Sequence, residues 1–436
     1  MKAIAEQIFL SGVKSVLPDK MIQSQVNIID RILHMADSQF PLCNFNHIYV
    51  VGAGKASALM AKGLETTMGK SITQGVVVVK YGHSCELKKI RVLEAGHPFP
   101  DENGIMATKE LLQMAAMAGE KDLVICLISG GASSLLADYP EGSSLDDLIL
   151  VNQLLLKSGA NIKEMNTVRK HLSMIKGGQL AKAIYPASFI SLILSDVIGD
   201  PVDVIASGPT SPDLSTFADA LKVLEIYDLL EIFPESMVRY IQNGCAYLAP
   251  ETPKAGEKYF THGQNKIIGC NKIALEVAAK KAQECGFIPY TLTSELNGDL
   301  TEAADSVLET AFRIQNDSKI TKPVCLLAGG EPTIKVTGNG LGGRNQHFAL
   351  YCATKINGKK GLTILCAGTD GNDGPTNAAG AVVDCNTVET AMKQGLNPQV
   401  YLQTNDSYHF FLKAGGHILT GSTMTNVMDL IVLIIE

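Results

Sequence analysis

The sequence has no tryptophan, and aromatic residues fill only 6% of its 436 positions, so its cores must be aliphatic. Charge is sparse: 19% of residues are Asp, Glu, Lys or Arg, and 37 Lys+Arg against 44 Asp+Glu leave a net charge of −7. Without a general basic surface the chain is not expected to bind nucleic acid, although a local cationic pocket for a small anion is compatible with that balance. None of the ten cysteines forms a C-x-x-C pair. Cys126, Cys325 and Cys366 lie inside apolar runs, where cysteine acts as a small hydrophobe, which predicts reduced thiols in a cytoplasmic protein. The nine histidines contain no H-x-x-x-H or H-E-x-x-H pair, so no zinc site is expected. No apolar run nears the ~20 residues of a membrane span. Glu6 and Gln7 interrupt the only early apolar stretch, so neither a leader nor a membrane partner is expected.

What the sequence does hold is 46% hydrophobic residues and 40 glycines. That composition excludes disorder, and the length suggests two or three domains at about 150 residues each. Residues Lys2 to about Ala36 read as two amphipathic helices broken at Pro18. Apolar runs then alternate with helical segments: Ile48–Val51, Lys55–Met68, Gly75–Lys80, Arg91–Glu94, Gly104–Met117, Asp122–Ser129, and later Phe189–Leu194. Nearly continuous apolar runs predict parallel strands buried on both faces, hence a doubly wound, Rossmann-like α/β sheet. The Pro- and Gly-bearing stretch from Asn243 to Asn265 is the candidate boundary, predicting an N-terminal domain over 1–242 and a C-terminal α/β domain over 243–436. Beyond it the alternation resumes with Ile267–Gly269, Lys272–Cys285, Ile288–Thr293, Val324–Leu327 and Leu362–Cys366, and ends at Leu430–Ile435.

Five glycine-bearing loops follow buried strands, where α/β sheets bind ligands. Gly52-Ala53-Gly54-Lys55 joins a strand to a helix and suits an anion, but it is not a Walker A loop and Ser57 stands where a dinucleotide fingerprint needs its third glycine. A tight turn with a solvated lysine is the competing reading. Ser129-Gly130-Gly131-Ala132-Ser133-Ser134 has the makings of a backbone anion nest. Arg169 and Lys170, then Lys176, concentrate cations that a solvated helix face also explains. Asp196 and Asp200, in Ser195-Asp196-Val197-Ile198-Gly199-Asp200, suit Mg²⁺ or a hydroxyl proton, or a helix cap. Gly329-Gly330-Glu331 and Gly342-Gly343-Arg344-Asn345-Gln346 place an arginine at a helix start, and the Gly368–Thr376 loop adds Asp370 and Asp373. His97, in Gly96-His97-Pro98, reads first as a turn residue.

Taken together, these loops resemble the class II glycerate kinase family, glycerate 2-kinases with a C-terminal MOFRL region. The resemblance rests on the motifs above and on Gly96–Asp101, Asn166-Thr167-Val168-Arg169, Lys176-Gly177-Gly178, Ser207-Gly208-Pro209-Thr210, Asn405-Asp406-Ser407 and Thr425-Asn426-Val427. It implies two Rossmann-like α/β domains with a cleft between them, the MOFRL region covering about 320–436. It also implies transfer of the ATP γ-phosphoryl group to the 2-hydroxyl of D-glycerate with Mg²⁺. Lys55, Asp196 and Arg344 would be the catalytic residues. Gly52, Gly54, Ser129, Gly130, Gly131, Ser133, Arg169, Lys176, Glu331, Gly342, Gly343, Asn345, Asp370 and Asp373 would bind substrate or nucleotide, with Asp196 and Asp200 toward the metal. Whether Lys55 or Arg344 meets the carboxylate stays open, as does homodimer formation. Ala132, His347 and Ser422 depart from the family pattern. The alternatives are an NAD(P)H-dependent hydroxypyruvate reductase, disfavoured by Ser57 and by the strand ending at Lys80, and a non-catalytic sugar-phosphate-binding module.

Overall fold

A computed structural model describes residues 1–436, whose internal contacts divide into two units: 18–195 with 200–268, and 1–17 with 196–199 and 269–436. No helix is long and apolar enough to cross a membrane.

The first unit opens with the helix Pro18–Gln25 and then a small antiparallel sheet, β1 (Val26–Ile29), β2 (Ile32–Met35) and β3 (Ser38–Pro41), whose first two strands stand where the sequence predicts helix to about Ala36. Its main sheet comprises β4 (His47–Ala53), β5 (Gln74–Lys80), β6 (Ile90–Ala95), β7 (Asp122–Ser129), β8 (Ser188–Leu194) and β9 (Gly263–Gly269), in the order β6-β5-β4-β7-β8-β9. The pairings β5–β6, β4–β5, β4–β7 and β7–β8 are all parallel. All eight residues of β7 are buried, as its unbroken apolar run requires of a strand covered on both faces. Four helices, Leu145–Lys157, Ile162–His171, Phe217–Ile226 and Glu235–Cys245, share a separate core around Val151, Val168, Phe217, Leu224 and Met237.

The second unit is built on β10 (Ile288–Leu296), β11 (Val324–Gly330), β12 (Leu362–Gly368), β13 (Gly380–Asp384), β14 (His417–Ile418) and β15 (Asp429–Ile435), ordered β10-β11-β15-β12-β13-β14. Only β10–β11 is parallel; β15 runs antiparallel to both neighbours, so this sheet is mixed where a wholly parallel one is expected. Phe348, Leu350 and Phe410 are fully buried in its core.

The units also differ from the sequence-based division at residue 243. Glu251 and Thr252 bond His171 and Asp213, and β9 lies beside β8, so the Pro-rich stretch stays with the first unit. The N-terminal helix Lys2–Ser15 instead joins the second: Thr425 donates to the Val16 carbonyl at 2.6 Å and Lys2 pairs with Asp384 at 3.2 Å.

Candidate active site

In the first unit, β4 hands over to the helix Ser57–Met68 through a turn fastened to the end of β7. The Lys55 N–H donates to the Gly130 carbonyl (3.0 Å) and the Ala56 N–H to Ser129 Oγ (3.1 Å). Ser57 Oγ donates to the Leu127 carbonyl at 3.1 Å. Gly54 sits at φ +131°, and a Cβ there would come within 2.2 Å of Ser129 Oγ, so the two loops meet only because this residue is glycine. Gly52 lies against Leu127 inside the sheet. Gly130 and Ser129 therefore hold the turn by accepting from the Lys55 and Ala56 N–H groups, and Gly52 and Gly54 leave room for that approach.

Beyond them stands Gly131. A Cβ built on it would lie 2.9 Å from His97 Nε2 and 3.3 Å from Lys55 Cε, so lysine and histidine converge on this glycine. Burial, then the charges of Lys55, Lys80 and His83, bring the His97 pKa down to about 4, so the imidazole is neutral at pH 7 and Lys55 supplies the positive charge. Four residues after His97, Asp101 caps helix Glu102–Ala116 by accepting from the Gly104 N–H at 2.9 Å. Ala132, a departure from the family pattern, is fully buried where the short segment Ala132–Leu135 begins.

On the same turn, Ser133 and Ser134 line a recess with Arg169, Lys176, Asp138 and Asn152. Ser133 Oγ and Ser207 Oγ lie 2.9 Å apart, and Ser207 donates to Asn166. Lys176 is buried and already engaged, donating to the Leu136 carbonyl (2.6 Å) and to Asp138 (3.3 Å). Arg169 Nε donates to the Asn152 amide oxygen at 3.0 Å. Burial lowers the Arg169 pKa, and no carboxylate offsets it. Asp200 belongs to this unit and Asp196 to the other, with Asp200 at φ +53° just past Gly199.

In the second unit, Arg344 opens the helix Arg344–Ile356 and is clamped on three sides. Asp429, at the head of β15, takes Nε at 2.6 Å and Nη2 at 3.0 Å, while Glu331 takes Nη1 at 2.8 Å. These partners outweigh burial and hold the guanidinium pKa above its usual value. Glu331 is shifted upward, first by its own burial and then by the neighbouring charges of Asp429, Asp196 and Asp370, against the pull of Arg344. Asp373 serves the helix start, accepting from the N–H groups of Asn345 (3.0 Å) and Gln346 (2.8 Å). Burial, the larger cause, raises its carboxyl to about 6. Asn345 spans Asp373 and Asp429 with its amide. A Cβ on Gly343 would meet Asp373 Cγ at 2.3 Å, and one on Gly342 would meet Ser407 Oγ at 2.3 Å. The Gly338–Gly343 loop is bonded onto Asn405 and Asp406 through the N–H groups of Gly338 and Leu341. Asp370 accepts from the Asn372 N–H within its own loop. His347 is neutral, burial bringing it down to about 4, and Thr423 near Ser422 donates to the Thr369 carbonyl.

Asp429 and Asn152 are absent from the sequence-based assignment, and His97 is undervalued there. A charged residue heading the apolar run of β15 is a signal for Asp429; a polar Asn on an amphipathic helix gives none for Asn152.

In the first unit, a lysine set against a glycine turn beyond the carboxyl ends of parallel strands is the arrangement by which an α/β fold receives a small anion. The model described as "Domain of unknown function (DUF4147)" matches residues 4–242, and that of the MOFRL family matches 324–429. A D-glycerate 2-kinase of Thermotoga maritima is 41% identical over 434 residues, covering 99% of this chain and 98% of the relative. A glycerate 2-kinase of Pyrococcus horikoshii is 39% identical over 437 residues, covering 100% of this chain and 97% of its own. A protein of Agrobacterium vitis named a putative hydroxypyruvate reductase is 41% identical over 389 residues, 88% of this chain and 86% of the relative. The crystal structure of the T. maritima glycerate kinase matches with a TM-score of 0.89 over 100% of this chain and 99% of that one. The chain belongs to the glycerate 2-kinase family, with its MOFRL region.

Proposed function

We propose that this protein is an ATP-dependent D-glycerate 2-kinase. The observation that carries the reading is the match to a D-glycerate 2-kinase over 99% of the chain. In the transfer, the bond from the γ-phosphorus to its bridging oxygen breaks and ADP departs with the electron pair, a bond to the 2-oxygen of glycerate forms, and the hydroxyl proton is released to solvent. Such a reaction is served by positioning and charge neutralisation rather than by covalent chemistry from the protein. Lys55 is suited to the transferring phosphoryl group: its backbone is fixed to Gly130, and its neighbour His97 adds no competing charge.

Mg²⁺ would supply further neutralisation of phosphate charge. No three side chains of His, Cys, Asp or Glu form a cage for it, which accords with the habit of Mg²⁺ to take one or two carboxylates and complete its shell with phosphate and water. Asp196 and Glu331 would hold it: burial raises Glu331 most, the charges of Asp429 and Asp196 raise it further, and a cation would relieve that crowding of acids. Arg344 keeps both Glu331 and Asp429 in place.

The reductase reading lacks its site. Ser57, fully buried and bonded to Leu127, occupies the third-glycine position, and β5, beside β4, ends in Lys80 where a ribose-binding acid belongs. The test is ³¹P and ¹H NMR of the products from ATP, Mg²⁺ and D-glycerate. Phosphate on C2 is expected; phosphate on C3, or no ADP release together with NADH oxidation by hydroxypyruvate, would overturn the reading.

A further inference from the structure

Two arginines of this chain sit among polar groups at the ends of strands and helices, and their partners differ in kind. Arg344 has three of its nitrogens taken by carboxylates of its own chain. Arg169 has one nitrogen, Nε, taken by a neutral amide, and no carboxylate answers its charge. A guanidinium partly withdrawn from water without a counter-charge is costly, and a bound anion would offset that cost. The Asn152 contact also orients the group: with Nε committed, the two Nη groups form the remaining edge of a planar fork, the geometry that meets a carboxylate with two parallel bonds.

We infer that Arg169 binds the carboxylate of the acceptor substrate, in the recess it lines with Ser133, Ser134, Asn152, Lys176 and Asp138. The inference rests on the glycerate-kinase reading and assigns its acid end to one residue. Charge arithmetic favours a carboxylate over a nucleotide phosphate chain. Lys176 is offset by Asp138 at 3.3 Å, so the recess offers the single net positive charge of Arg169, matched to a monoanion. The recess has a volume of only about 20 Å³, so no more than the carboxylate end of an acid enters it, and Leu148, Val151 and Leu172 form an apolar wall that strengthens a charge-assisted bond there. The recess and Lys55 meet the same turn: Ser133 and Ser134 line the recess, and Gly131 stands against Lys55 and His97.

The test compares Arg169→Gln and Arg169→Lys with the full-length wild type, in coupled ADP-release assays varying D-glycerate and ATP separately. Calorimetric titration of D-glycerate without nucleotide accompanies them. Arg169→Gln is expected to raise the KM for D-glycerate by about 10- to 100-fold, the weight of a charge-assisted bidentate contact. The KM for ATP stays within about 2-fold of wild type, and the calorimetric affinity falls in parallel with the rise in glycerate KM. Arg169→Lys, which keeps the charge without the fork, lies between, and its glycerate KM decides the question should the Gln variant not fold. A raised KM for ATP with glycerate affinity unmoved would overturn the inference and place phosphate in the recess; unchanged values for both would overturn it as well. A wild type that binds D-glycerate through Arg169 yet does not phosphorylate it would refute the kinase reading and leave the carboxylate site standing.

Discussion

Lys55 and Arg169 of the first unit and Arg344 of the second are used in opposite ways. In the parallel-sheet unit, Lys55 is presented by a turn whose own polar groups are spent on one another, and Arg169 answers to a single amide. In the mixed-sheet unit, Arg344 is enclosed by Glu331 and Asp429 and the glycine loops are bonded down onto Asn405 and Asp406. A glycine-rich loop ending in an arginine looks the same in sequence whether it receives a ligand or is fastened to its neighbours. The charge of the partners distinguishes the two cases: one arrangement waits for an anion, and the other is a finished ion-pair network with acid in excess.

That contrast can be broken at several points. The largest effect on stability is expected from Asp429→Asn, since Asp429 is 1% exposed and serves both Arg344 and Asn345. Removing one partner of a buried pair strands the other, and with Arg344 partly solvated the loss should be about 2–4 kcal/mol in urea unfolding. A loss no larger than that of Arg169→Gln would erase the distinction between the arginines. Next comes Gly54→Ala, which strains a φ of +131° and drives a Cβ into Ser129. A loss of about 1–3 kcal/mol is expected, with a lower melting temperature and misplaced Lys55. A variant as stable and as active as wild type would show that the two loops are not locked.

A third effect is a pH slope. The His97 pKa falls from 6.5 to about 4 in the folded chain, so between these values the unfolded state binds more protons and His97 subtracts stability as pH drops. Asp373, raised from 3.8 to about 6, acts with the opposite sign, because there the folded state binds more protons and gains stability as pH falls. His97→Asn should therefore flatten the acid-side loss between pH 6.5 and 4, read from melting temperatures, and Asp373→Asn should steepen it. Equal slopes in all three proteins would contradict both environments.

Much of the main sheets is legible in the sequence, because a strand buried on both faces needs an unbroken apolar run, as in Asp122–Ser129 and Leu430–Ile435. Direction is not legible: β15 is as apolar as a parallel strand, and only its pairing reveals that it runs the other way. The hairpin over Val26–Met35 escapes because its turn, Asp30-Arg31 at φ +51° and +64°, carries none of the Asn-Gly or Asp-Gly chemistry that announces such turns. At the site, Lys55 is readable from its strand-to-helix turn. Arg344 is readable as a residue but not as a role, since the partner that decides it, Asp429, lies 85 positions along the chain. The same limit hides the contrast between Lys176, which is paired, and Arg169, which is not.

The central claim is that Lys55, held by its turn and left as the charged partner of a neutral His97, stabilises the transferring phosphoryl group. Single-turnover measurement of Lys55→Met with saturating ATP, Mg²⁺ and D-glycerate tests it most directly. The rate should fall by about 10²–10³, the scale of one lost donor at developing charge, with the melting temperature unchanged. A rate close to wild type would contradict it.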